Sequence, residues 1–237
     1  EGSIFDADRG SILDADWQLN VVSFFGVTLT GGFLSFPFTT ILSSLIVEVY
    51  GYKYARQAIW SGVALCSTYL IFINIVNVIP SSPNWELQKE FQAILIPQTR
   101  IVIASLIAFW FSGFVNNYLM AKLKCRGQSL TPRILLSSFI SITIDINLFF
   151  AISFLGVIKF NLLSTIFIYA YFKKILCEII LLPVIWLLID AFKKKEGFEI
   201  YDVETDFTPF SLDNIYDLSS YKKSDTPRSA IHAFSST

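Results

Sequence analysis

Residues 31–62, GGFLSFPFTTILSSLIVEVYGYKYARQAIWSG, decide the fold. Two glycines open the stretch, Pro37 follows, and an apolar segment runs on to Val47. A water-soluble helix would show one apolar stripe and a polar opposite face. Between Phe33 and Val47 the only polar side chains are Ser and Thr, small hydroxyls that fold back onto their own backbone. A helix apolar all round in this way is written for lipid. Glu48, a Tyr-Gly break at Tyr50 and Gly51, and the cations Lys53 and Arg56 then stop it at a membrane face.

The rest of the chain agrees. Of 237 residues, 54% are hydrophobic and 16% charged, where a globular domain carries about 45–50% and about 25%. Mean hydropathy is +0.57. The apolar runs are continuous and do not alternate in segments of about 10 residues, which argues against a β-barrel. The fold class is all-α: a polytopic membrane helical bundle with five to six transmembrane helices. A span needs about 20 apolar residues. The clear spans are 32–50, 58–79, 101–121, 134–157 and 162–191. Residues 17–30 are apolar but short, and read as the end of a first span or as an interfacial segment anchored by Trp17. The chain thus divides into a polar N-terminal segment (1–16), the transmembrane bundle (17–192) and a polar cytoplasmic tail (193–237), partly disordered, largely so beyond about Phe210.

Lys and Arg sort the connections. Lys53, Arg56, Lys122, Lys124, Arg126, Arg133 and Lys193–Lys195 lie on one side, against Lys89, Arg100 and Lys159 on the other. The positive-inside rule puts the first group, and the tail, in the cytoplasm. Loop 80–99, punctuated by Pro80, Pro83 and Pro97, is then external, with Trp85, Phe91 and residues 93–96 lying at the interface.

An ionisable residue inside a span is a functional candidate, because holding it in lipid is costly. Asp145 sits mid-span in SSFISITIDINLFF with Asn147 two residues on, and nothing local neutralises it. Lys173 and Lys174 lie about eleven residues into the last span; a Lys174–Glu178 pair at i,i+4 would leave Lys173 to face the bundle, toward Asp145. Glu48 is either paired with Lys53 or Arg56 or open to a ligand. Asn116 and Asn117 either glue helices together or read the edge of a base. Trp110 and Phe36 either stack on a planar ring or pack in the core. The single histidine, His232, lies in the tail, which removes most His-based catalysis within the membrane. Cys66, Cys125 and Cys177 fit no metal motif and read as small apolar filler. No cofactor, no metal and no catalysis are expected.

The ordered series FPFTTILSSLIVEVYG, Ala55-Arg56, Ile59-Trp60, Arg100, LMAKLK, Ser137-Ser138 before Asp145, Lys173 before Pro183 and EIYDVETDFTPF (199–210) resembles the queuosine precursor transporter family, also called vitamin uptake transporters. The resemblance covers roughly residues 20–210. It implies a six-span importer of 7-deazaguanine precursors of queuosine, or of queuine, in the bacterial inner (plasma) membrane. The partners it implies are a small planar purine-like substrate and the lipid bilayer, with no nucleic acid; a homodimer is one arrangement open to it. Asp145 would accept from the donor edge of such a ring and aromatic faces would stack on it. An alternative is a substrate-binding membrane subunit for another vitamin-like molecule, needing an energising partner, since no P-loop motif occurs. The chain departs from the family pattern at Ser44, Gly113, Asn116, Ile142 and Ile146, several of which carry polar groups there. The resemblance also implies a further span upstream of Asn20.

Overall fold

In the computed structural model the described residues are 21–24, 27–30, 35–82, 85–154, 156, 160–203, 205–211, 213, 215–217 and 220–223. Strands β1 (Val21–Phe24) and β2 (Val27–Thr30) form an antiparallel ladder. Helix α1 (Phe36–Leu45) runs into a π turn, Ile46–Tyr50. Helices α2 (Tyr52–Val78), α3 (Gln88–Cys125), α4 (Leu130–Phe154) and α5 (Phe160–Glu196) follow. Strands β3 (Phe198–Ile200) and β4 (Tyr221–Lys223) pair antiparallel below the bundle.

The protein is an all-α polytopic bundle. Among the described residues four helical runs are long and apolar enough to cross a membrane: Phe36–Val78, Gln88–Cys125, Leu130–Phe154 and Ser164–Glu196. Two details of the expected count change. Segments 32–50 and 58–79 belong to one run that turns back on itself. Ser43 bonds Asn117 and Glu48 lies by Lys124, descending α3, whereas Trp60 meets Trp110 and Asn74 meets Thr99, climbing it. The reversal falls at Gly51, whose φ of 83° favours glycine, and where a Cβ would meet the Tyr216 hydroxyl at 2.5 Å. The leg before it, 36–50, spans only about 22 Å at about 1.5 Å per residue, short of the full hydrocarbon core. The doubtful front span also changes, because residues 21–24 pair with 27–30 as strands, while 17–20 lie outside the described residues.

The connection expected at 80–99 is shorter than the sequence suggests, since α3 already begins at Gln88 and continues without a break. Pro37 sits in the first turn of α1, where its missing N–H costs nothing. The outer faces stay apolar: Leu65, Phe72, Ile180 and Leu187 are all exposed, as a surface facing lipid chains requires. The core gathers Val47, Val49, Tyr52, Ile59, Phe114, Met120, Ile134, Ile185 and Ile189 near the end where the basic residues collect. A second cluster, Ile142, Ile146, Phe150 and Phe154, lies toward the other end.

Candidate functional site

Helix α4 carries its polar residues at helical spacing. Arg133, Ser137, Ser141 and Asp145 recur every four residues, with Ser138 three before Ser141, so they gather on one side of the helix. All but Asp145 are buried. Helix α5 answers with Lys174 and Glu178, one turn apart, and α3 with Ser112 and Asn116, also one turn apart.

Asp145 accepts from the Lys174 ammonium at one carboxylate oxygen and from the Ser112 hydroxyl, at 3.4 Å, on the other. Lys174 also lies 5.3 Å from the ring centroid of Phe36, within cation–π range. The pair is therefore set among α1, α3, α4 and α5. It is not sealed: 21% of the Asp145 side chain and 24% of Lys174 remain open. One turn along α3 the carbonyl oxygen of Asn116 is enclosed, with no hydrogen-bond partner among the described residues. An enclosed acceptor of this kind calls for an explanation.

Several sequence expectations change here. Asp145 takes Lys174, not Lys173, because one step along a helix turns a side chain by about 100°. The expected Lys174–Glu178 pair is absent from the described ion pairs; Glu178 instead accepts from the Ser138 hydroxyl at 2.6 Å. Asn147 is exposed and donates back to the Thr143 carbonyl at 2.7 Å, turned away from Asp145. Trp110 stands two residues before Ser112, about 200° around the helix, and packs edge-on against Trp60 and Phe114. It lines an apolar groove of about 320 Å³ between α2 and α3 with Val63 and Ile107. Ile142 and Ile146 are buried among Phe150 and Phe154, which gives an apolar use to two positions where the resemblance implies polar groups. Gly113 lies where a Cβ would come within 3.2 Å of Ile59, so its smallness serves the α2–α3 approach.

The second charged centre lies at the basic end. Glu48, on the π turn, is fully buried. Its Oε1 receives Lys193 at 2.6 Å and Arg133 at 3.0 Å, with Lys124 at 3.7 Å. Glu199, just past α5, shares Lys193 and meets Lys124 at 3.3 Å. Lys53 and Arg56, the expected partners of Glu48, are carried past it by the reversal at Gly51. Lys53 pairs with Asp213 at 2.6 Å, and Arg56 donates to the carbonyls of Asp206, Thr208 and Asp213.

These last contacts show what the stretch 199–217 does. Asp202 accepts from the backbone N–H of Tyr52 at 3.0 Å, and the Tyr216 hydroxyl accepts from that of Lys53 at 2.8 Å. The tail thereby caps the exposed N–H groups at the start of α2, and puts a carboxylate at the positive end of its dipole. Tyr52 and Trp60 donate to the carbonyls of Phe207 and Pro209, each at 2.8 Å. Beyond Phe210, where the composition reads as largely disordered, Asp213, Ile215, Tyr216 and strand β4 hold contacts to the rest of the protein, and most of the remainder lies outside the described residues. Composition misses this because the order comes from partners on another element. A cavity of about 490 Å³ opens between α2 and this tail, lined by Arg56, Gln57, Trp60, Phe210 and Ser211, remote from Asp145 in the chain's layering.

Titration at this end follows the packing. Burial works against the Glu199 charge, but Lys124 and Lys193 outweigh it and hold the carboxyl below its usual range. Burial, with Glu199 alongside, pushes the Tyr201 hydroxyl up to about 12. Burial and the adjacent Asp202 raise Tyr216 far above an ordinary tyrosine.

A multi-pass helical bundle holding a part-open ion pair between its helices has the build of a membrane transporter. The profile of a family described as "Putative vitamin uptake transporter" matches residues 30–188, and the chain belongs to that family. Among curated proteins, the "Probable queuosine precursor transporter" of Bacillus subtilis (strain 168) is 26% identical over 170 residues, covering 70% of this chain and 73% of that protein. No solved structure matches the chain.

Proposed function

We propose that the protein imports a queuosine precursor, a 7-deazaguanine-type base or queuine, across the bacterial inner membrane, with its basic end in the cytoplasm. The observation that carries this reading is Asp145: a carboxylate deep in the bundle, balanced by one cation and still a fifth open. Such a planar base presents an NH/NH₂ edge that a carboxylate accepts from, as acidic side chains do from the donor edges of bases. Phe36 supplies a ring face beside Lys174, and the Asn116 carbonyl an unused acceptor one turn along α3 from Ser112. The name of the Bacillus relative points to the same substrate class. Nine cations against three across the connections favour the orientation.

The test is uptake of labelled deazaguanines and queuine by cells lacking both their own importer and their own synthesis. Expression of this chain is expected to restore accumulation and Asp145→Asn to lower it, as an affinity weakened roughly 5- to 150-fold requires. Robust membrane expression without uptake of any of these bases overturns the substrate class.

A further inference from the structure

The polar seam holds one buried acid that the reading above does not use. Glu178 is 3% exposed. Among the described residues its polar contact is the Ser138 hydroxyl, which donates to Oε1 at 2.6 Å. Among the described residues no Lys or Arg lies within ion-pair distance of it. The surrounding elements explain why. On α5 itself, Lys174 is turned to Asp145, with Lys173 and Cys177 as the other titratable neighbours in that turn. On α4, Asp145 is bonded to Lys174 and Arg133 to Glu48. On α1, residues 36–47 contain no ionisable side chain, and Glu48 beyond them is taken by Arg133 and Lys193. An ionised carboxylate enclosed in a bilayer-spanning bundle without a counter-charge is strongly disfavoured.

Lys174 and Glu178 stand four residues apart on one helix face, the spacing at which such side chains meet. The ammonium thus has two acids within reach, Asp145 across the helix interface and Glu178 along its own helix. We propose that Glu178 is a proton-carrying second seat for Lys174. When a base takes Asp145 through its donor edge, Lys174 leaves Asp145 and pairs with Glu178, and the Glu178 proton departs to solvent. The exchange balances: one hydrogen-bonded ion pair is replaced by another, one O–H bond is broken, one proton is released for each ligand bound, and Asp145, a fifth open where Glu178 is enclosed, keeps its charge against solvent and the N–H donors of the base. Proton and ligand therefore compete, and binding strengthens as pH rises. This rests on the reading that Asp145 contacts the ligand, and it adds the chemistry by which the site is opened and shut.

Two experiments separate this inference from the substrate assignment. The first needs no ligand: a double-mutant cycle in thermal stability between Asp145→Asn and Glu178→Gln in the purified full chain. With Asp145 present, Glu178→Gln replaces a neutral carboxyl by an amide and is expected to change little. With Asp145→Asn, Lys174 depends on Glu178, and adding Glu178→Gln is expected to lower the melting temperature by roughly 2–4 °C or more beyond the sum of the two single changes. Additive effects overturn the second seat. The second experiment measures proton release on binding of a labelled deazaguanine in weak buffer. The wild type is expected to release about one proton per ligand, and Glu178→Gln and Lys174→Met to release none. Release that persists in a variant still binding the base overturns the proposal. If the wild type binds none of these bases, the substrate assignment falls and the stability cycle alone decides the role of Glu178.

Discussion

The two charged centres of this bundle use the same chemistry to opposite ends. Glu48 is fully buried, meets three cations and is closed over by Glu199 and the tail. Asp145 has one cation and one hydroxyl, and a fifth of its side chain is open. An acid surrounded by several cations from α3, α4 and α5 is a fastening: no ligand can replace that many partners at once. An acid with a single cation among the described residues is exchangeable, because a ligand need displace only that cation. Burial alone would rank Glu48 first as a candidate; the number of competing partners is what supports the proposal for Asp145.

The sharpest way to break this comparison is Glu48→Gln. Removing one charge from a buried network leaves cations uncompensated, and costs about 3–5 kcal/mol. The expected outcome is loss of folded protein from the membrane, read by thermal stability in detergent. A stable Glu48→Gln protein that had merely lost uptake would move the ligand site to the basic end. Asp145→Asn should behave differently. It is expected to keep its fold and lose about 1–3 kcal/mol of ligand binding, an affinity loss of roughly 5- to 150-fold by titration. If instead it loses stability and Lys174→Met restores it, Asp145 is a brace like Glu48.

Smaller effects sharpen the same contrast. Asp202→Ala removes the carboxylate that caps Tyr52 and orients Tyr216. It is expected to cost about 0.5–2 kcal/mol and to expose the tail to limited proteolysis. Glu199 supplies a pH test of the fastening. Lys124 and Lys193 hold its carboxyl below the ordinary glutamate range, so its stabilisation is present above that range and is lost as pH falls through the lower folded value. Tail protection should therefore weaken below about pH 4.5, and Glu199→Gln should abolish that dependence. Asn147→Ala, at an exposed residue bonded to its own helix, should stay within about 0.5 kcal/mol of the wild type, with unchanged uptake. A clear loss of uptake there would mean that the outer face of α4 meets the ligand.

What could be read from the sequence alone is whatever lipid judges locally. The apolar runs, the hydroxyl-only stretch 33–47, the break at Gly51, the basic end and the cost of Asp145 in mid-span all depend on a residue's own chemistry and its near neighbours. The partnerships needed the tertiary structure. Lys174 rather than Lys173 meets Asp145, Ser138 rather than Lys174 meets Glu178, and Arg133 and Lys193 rather than Lys53 and Arg56 meet Glu48. Each choice turns on about 100° of rotation per residue along a helix and on which helix stands alongside, and no single segment contains that information. The tail shows the same division. Its composition reads as solvated, yet its order comes from N–H groups at the start of α2, about 150 residues earlier in the chain, which had to be in place before Asp202 and Tyr216 had anything to bind.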